Sequence, residues 1–186
     1  MRRGFVTQLR IPLTTSQVRE IALHLDDVTL GIPQRLHEYC ELLGYNIEDS
    51  ESKYDSSLLP ITDNKFLKTC LKKAHTVVTG CMNERKTKAG RRNQMLYALG
   101  KIRATEFDTK VVEAMLRKEF PLSTQNTTLA VGQMMTELTQ GDAPLLRRAP
   151  KGYLYRFADP RYIMCIRAML GKNPSDERVL KRTLRR

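Results

Sequence analysis

The 186 residues are 41% apolar, enough to bury a core in one large domain or two small ones and too many for a disordered chain. No apolar run reaches the roughly 18 residues of a membrane span, and MRRGFVTQLRIPL lacks the apolar stretch and cleavage site of a secretory leader, so a cytoplasmic, nucleoid or nuclear protein is expected. The net charge of +12 is polarised: residues 1–84 carry 10 Lys and Arg against 11 Asp and Glu, residues 85–186 carry 22 against 9, so the second half is expected to meet a polyanion, the plainer reading being a solvated basic surface.

In chain order, an extended VTQLRIPL leads to TTSQVREIALHLDD, where Thr and Ser are capping candidates and Val18, Ile21, Ala22 and Leu25 recur at helical spacing. Pro33 suits the first turn of a second helix, PQRLHEYCELLG, with Leu36, Tyr39, Cys40 and Leu43 on one face and Gly44 as its stop. Ala22 and Ile32 approximate the small and apolar positions of a helix-turn-helix, but Asp26 stands in the turn and the region is slightly acidic. Packing, dimerisation or partner binding is the expected role of this pair.

Residues 46–61, NIEDSESKYDSSLLPI, have the chemistry of a linker and set a boundary between a helical N-terminal region, 1–61, and the rest. A long helix capped by Thr62 or Asp63 should follow, with Phe66, Leu67, Cys70, Leu71, Ala74, Val77, Val78, Cys81 and Met82 on one broad face. Cys40, Cys70, Cys81 and Cys165 form no CxxC pair, and His24, His37 and His75 no zinc spacing; Cys70 and Cys81, three turns apart on this helix, are read as structural thiols. ERKTKAGRR then exposes Arg85, Lys86, Lys88, Arg91 and Arg92, either to grip phosphates or as a solvated connector.

The order after this loop is informative. NQMLYALGKI is a short amphipathic helix, ATEF leaves room for a small strand, and Asp108 caps TKVVEAMLRKEF, which Pro121 ends. A third helix is expected from Ser123 to Gln140, with Val131, Met135 and Leu138 inward and Gly141 as its stop. In LLRRAPKGYLYRF the turn Ala149-Pro150-Lys151-Gly152 has proline second and glycine fourth, and Tyr153, Tyr155 and Phe157 alternate after it. Asp159 and Pro160 open a closing helix that Gly171 stops. A basic tail, 172–186, follows, with Ser175 as a cap and Val179, Leu180 and Leu184 on one side.

Helix, short strand, helix, turn, helix and basic hairpin over residues 92–157 resembles the winged helix-turn-helix superfamily of DNA-binding domains. The expected fold is therefore mainly α with a small β-hairpin: a winged helix-turn-helix domain over 62–171, preceded by a small helical domain. The resemblance implies that the third helix enters a major groove while the wing lies on the backbone. By position, Thr124, Gln125, Asn126, Thr127, Ala130 and Gln133 are the base-reading candidates, and Arg147, Arg148, Lys151 and Arg156 would meet phosphates or a minor groove. Tyr153 and Tyr155 are read as core residues, with base stacking as the alternative. Ser123–Gln140 contains no Lys or Arg and only Glu137, so guanine readout is not expected there. Reading would pass through Asn, Gln and Thr, the wing and basic loop would dominate, or the surface would bind protein.

No Gly-rich phosphate loop, GxSxG, HExxH or clustered carboxylate set is present, so neither an enzyme, a cofactor nor a small-molecule substrate is expected. The leading expectation is a sequence-preferring double-stranded DNA-binding protein, a transcription regulator or replication-origin binder, forming a homodimer through its N-terminal half. The alternative is an adaptor whose winged helix binds protein while its basic surface holds RNA or an acidic partner.

Overall fold

The computed structural model describes Phe5, residues 10–83 and residues 90–182. These are mainly helical, with two short antiparallel strand pairs, and no helix among them is long and apolar enough to cross a membrane. They divide into two compact units: the residues up to Lys72 together with Arg182, and Lys73–Lys181.

In the first unit, α1 (Thr15–Thr29) opens with a capping box: the Thr14 hydroxyl accepts from the Gln17 amide while the Gln17 side chain accepts from the Thr14 amide. Pro33 occupies the first turn of α2 (Pro33–Asp49). This helix runs through Gly44, which does not stop it. Leu43, Asn46 and Ile47 remain buried on the face that packs against α3 (Leu58–Thr69), and that burial outweighs the cost of about 1 kcal/mol for an internal glycine. Only residues 50–57 connect the two helices, because Leu58 and Leu59, expected in a linker, are core residues of α3. Pro60 falls in the first turn of α3, where the missing N–H forfeits no helical bond.

A polar cluster joins all three helices. Asp63 is only 1% exposed, and its Oδ1 accepts from the Tyr39 hydroxyl at 2.7 Å and lies 2.8 Å from His24 Nε2. Tyr39 also donates to the Leu59 carbonyl, and burial, then the Asp63 carboxylate, push its ionisation far above the ordinary tyrosine range. Arg182 lies 3.5 Å from the other Asp63 oxygen.

The chain does not continue α3 to residue 82. The Cys70 and Leu71 amides both turn back to the Phe66 carbonyl, ending the helix, and α4 (Lys72–Cys81) starts afresh. Cys70 and Cys81 therefore share no helix, and the two compact units divide at Lys72–Lys73. Cys165, in the second unit, is fully enclosed, and burial pushes its thiol up to about 12.

The second unit is built around α5 (Arg91–Lys101), which packs against α6 (Thr109–Glu119), α9 (Pro160–Met169) and the hairpin of β3 (Leu170–Lys172) with β4 (Val179–Lys181). Met95, Leu96, Ala98 and Leu99 are buried, and a Cβ on Gly100 would stand 2.6 Å from Ile166 Cγ2. Arg167 locks the same crossing by donating to the carbonyls of Gly100 at 2.6 Å and Ile102 at 3.3 Å. Asp108 and Asp159 cap α6 and α9 as their positions predict. The tail, however, is no separate helical extension: α9 gives way at Leu170 to β3, with Gly171 inside the strand, and residues 172–181 return along it as the hairpin.

Two stability outcomes follow. Tyr39→Phe strips a donor from buried Asp63 and should lower urea-denaturation stability by about 1–3 kcal/mol. Gly100→Ala should be destabilising by about 1–2 kcal/mol, despite alanine's better helix propensity, because the added methyl overpacks Ile166; an unchanged thermal midpoint would mean the α5–α9 crossing is not tight.

Candidate nucleic-acid interface

The third helix expected over Ser123–Gln140 is in fact two pieces, α7 (Pro121–Thr124) and α8 (Val131–Glu137), joined by a non-helical segment. Gln125 is extended and Asn126 takes a left-handed φ of 53°. The carbonyls a continuous helix would use are satisfied elsewhere: Arg117 donates to those of Thr124 at 3.0 Å and Thr127 at 3.4 Å. α8 sets Val131 and Met135 into the core, and behind it β1 (Leu146–Arg148) pairs antiparallel with β2 (Tyr155–Phe157). Phe107 exchanges both backbone bonds with Tyr155, so the small strand expected in ATEF is a single bridge on the far side of β2. The Leu146 amide donates to the Leu138 carbonyl, fixing the hairpin to the end of α8.

The hairpin gathers four of the proposed contact residues. Arg147 and Arg156 are exposed and directly opposite in register, and neither they nor exposed Lys151 has an acidic partner among the described residues. Like charges opposed across a strand pair oppose pairing by roughly 0.2–1 kcal/mol. Arg148 is more constrained: its guanidinium lies 4.7 Å from the Tyr155 ring centroid and donates to the Gly152 carbonyl. The Gly152 amide donates back to the Ala149 carbonyl, closing the expected turn, with Gly152 at φ 74°. Of the two tyrosines read as core, Tyr155 is buried while Tyr153 is 64% exposed. The difference arises because β2 begins only at Tyr155, leaving Tyr153 in the turn, outside the strand's alternation.

The base-reading candidates divide. Thr124 is 2% exposed and its hydroxyl donates to the Phe120 carbonyl, so its side chain is structural. Gln125, Asn126, Thr127, Ala130 and Gln133 are exposed, with Gln133 donating to Glu137 at 3.2 Å. Gly132 and Thr136, on the same exposed side of α8, escaped the sequence reading because neither type is distinctive. Arg91 and Arg92, expected as phosphate contacts, are engaged internally: Arg91 donates to Gln94 and the Ser123 carbonyl, and Arg92 to the Cys81 carbonyl and Glu137. Arg85, Lys86 and Lys88 lie outside the described residues.

Supports for the segment after α6 were also missed. Glu177, buried in the β3–β4 turn, accepts from the Leu122 amide at 3.1 Å and the Ser123 amide at 2.9 Å. Burial works to raise its pKa, but these bonds and the Lys172 charge bring it below the usual glutamate range. Gln94, also buried, donates to the Ser123 hydroxyl and the Glu177 carbonyl. No local sequence pattern announces partners this far apart along the chain. The second unit thus exposes cations on a hairpin and uncharged donors and acceptors on α8 and the segment before it, groups of the kinds that meet a phosphate backbone and base edges. Comparison with family models, curated proteins and solved structures finds no match to this chain.

Proposed function

We propose that the second unit is a winged helix-turn-helix module that binds double-stranded DNA with a sequence preference, serving transcription regulation or replication-origin recognition without catalysing a reaction. The observation that carries this reading is the pair Arg147 and Arg156, two exposed arginines directly opposite in the strand register, with no acidic partner among the described residues. Such a pair works against its own hairpin in the free protein and is relieved by a bound phosphate. The order α5, Phe107 bridge, α6, α8, hairpin agrees with the winged-helix resemblance, and Gln125, Asn126, Thr127 and Gln133 supply the amide and hydroxyl groups for base edges. Dimerisation through the first unit is part of the proposal, with exposed Leu23 and Tyr45 as its apolar contacts.

The lack of any cation on α8 favours a second reading, an adaptor that presents this helix to a protein while its basic hairpin holds RNA or an acidic partner. Binding to a selected duplex and to scrambled duplexes at fixed salt separates the two, since equal affinities remove the sequence-reading claim. Arg147→Thr should weaken binding to both duplexes and lower the salt slope by about 1, while raising the stability of the free protein by about 0.2–1 kcal/mol through loss of the like-charge pair. Gln133→Ala should weaken only the selected duplex, by about 1–3 kcal/mol for a bidentate base contact. A monomer mass in solution, with and without DNA, would remove the dimer clause.

A further inference from the structure

The exposed segment that would face DNA has little internal means of holding its shape. Gln125, Asn126 and Thr127 are exposed, and the side-chain bond among them, Thr127 Oγ1 to the Gln125 carbonyl at 3.1 Å, is local. Its conformation includes a left-handed Asn126, a state open to asparagine but not its default, so neighbours must select it.

The enforcement comes from other elements. α6 contributes Arg117 to the carbonyls of Thr124 and Thr127, and α5 contributes Arg91 and Gln94 to the Ser123 carbonyl and hydroxyl. The third support is Glu177, whose two carboxylate oxygens each accept one backbone amide, Leu122 and Ser123, at the start of the segment. Glu177 itself sits at φ 53°, and the adjoining hairpin is closed by the Asn173 amide on the Arg178 carbonyl. A glutamate held buried in a left-handed conformation, with its two oxygens divided between successive amides of a distant segment, is a tailored fit rather than a surface acid at rest.

We infer that Glu177 is a positioning residue for the DNA-reading surface: by gripping the Leu122 and Ser123 amides it holds residues 121–128 in the one geometry in which Gln125, Asn126 and Thr127 meet base edges together. This rests on the DNA-reading proposal. It makes the C-terminal hairpin a working part of recognition without any contact to the nucleic acid. Glu177 contributes specificity, not attraction, because its charge opposes a polyanion.

The test uses the full chain carrying Glu177→Ala or Glu177→Gln, with two readouts. In DNA-free protein, amide hydrogen exchange at Leu122 and Ser123 should accelerate by about tenfold in Glu177→Ala, the loss expected when a charged acceptor is stripped from its donors, while α5 and α9 stay protected. In binding, the ratio of affinities for selected and scrambled duplexes should fall by about tenfold, with the scrambled affinity unchanged or raised. Glu177→Gln keeps one carbonyl acceptor and should recover part of both, which also covers the case in which the alanine variant fails to fold. Unchanged exchange, or parallel loss on both duplexes, overturns the inference. If the unsubstituted protein does not distinguish the duplexes, the DNA-reading proposal fails on its own account; the exchange result then decides whether Glu177 orders the segment, and unaltered exchange overturns that as well.

Discussion

Unit 2 is organised around the point where α9 rests on Gly100. With no side chain between them, Ile166 reaches the backbone of α5 and Arg167 closes over the end of that helix, on the carbonyls of Gly100 and Ile102. Because α9 starts directly after β2 and runs directly into β3, its placement fixes both strand pairs at once. One pair carries the exposed arginines; the other delivers Glu177 to the segment before α8. A single close approach thereby sets the geometry of both features, because a close-packed core passes a shift of one element on to its neighbours.

The arginines of this unit fall into two populations with different physics. Arg91, Arg92, Arg117 and Arg167 bring their guanidinium groups to backbone carbonyls, the planar fork satisfying oxygens that irregular backbone leaves without a helical donor. Arg147 and Arg156 have no such occupation among the described residues and lie exposed on a strand pair. Hydrogen bonds to neutral carbonyls leave the charge in place, so both populations add to the field of the unit; they differ in whether their N–H donors are already occupied.

Helices with a strong apolar period and a capping residue were legible in the sequence: α1 behind Thr14, α6 behind Asp108, α9 behind Asp159, and the hairpin turn with its proline and glycine. Errors came where tertiary partners overrode local signals. Gly44 fails to stop α2 because burial against α3 continues past it, and Leu58 and Leu59 leave the polar linker for the same reason. The expected long third helix breaks because Arg117 satisfies carbonyls that would otherwise require helical amides, a partner invisible to periodicity. The same limit applied to the site. Exposed polar residues could be named from position, but Thr124 turned inward, Arg91 and Arg92 were already engaged, and Glu177 could be found only by seeing what its oxygens touch.

The opposed Arg147 and Arg156 also bear on kinetics. If the proposed DNA binding holds, two exposed arginines with no acidic partner among the described residues would draw a polyanion to the hairpin edge before any short-range contact forms. Encounter would thus begin at the hairpin and orient the molecule as it slides inward, leaving the uncharged face of α8 to govern how long the complex lasts. Association would carry most of the ionic-strength dependence and dissociation most of the discrimination between sequences.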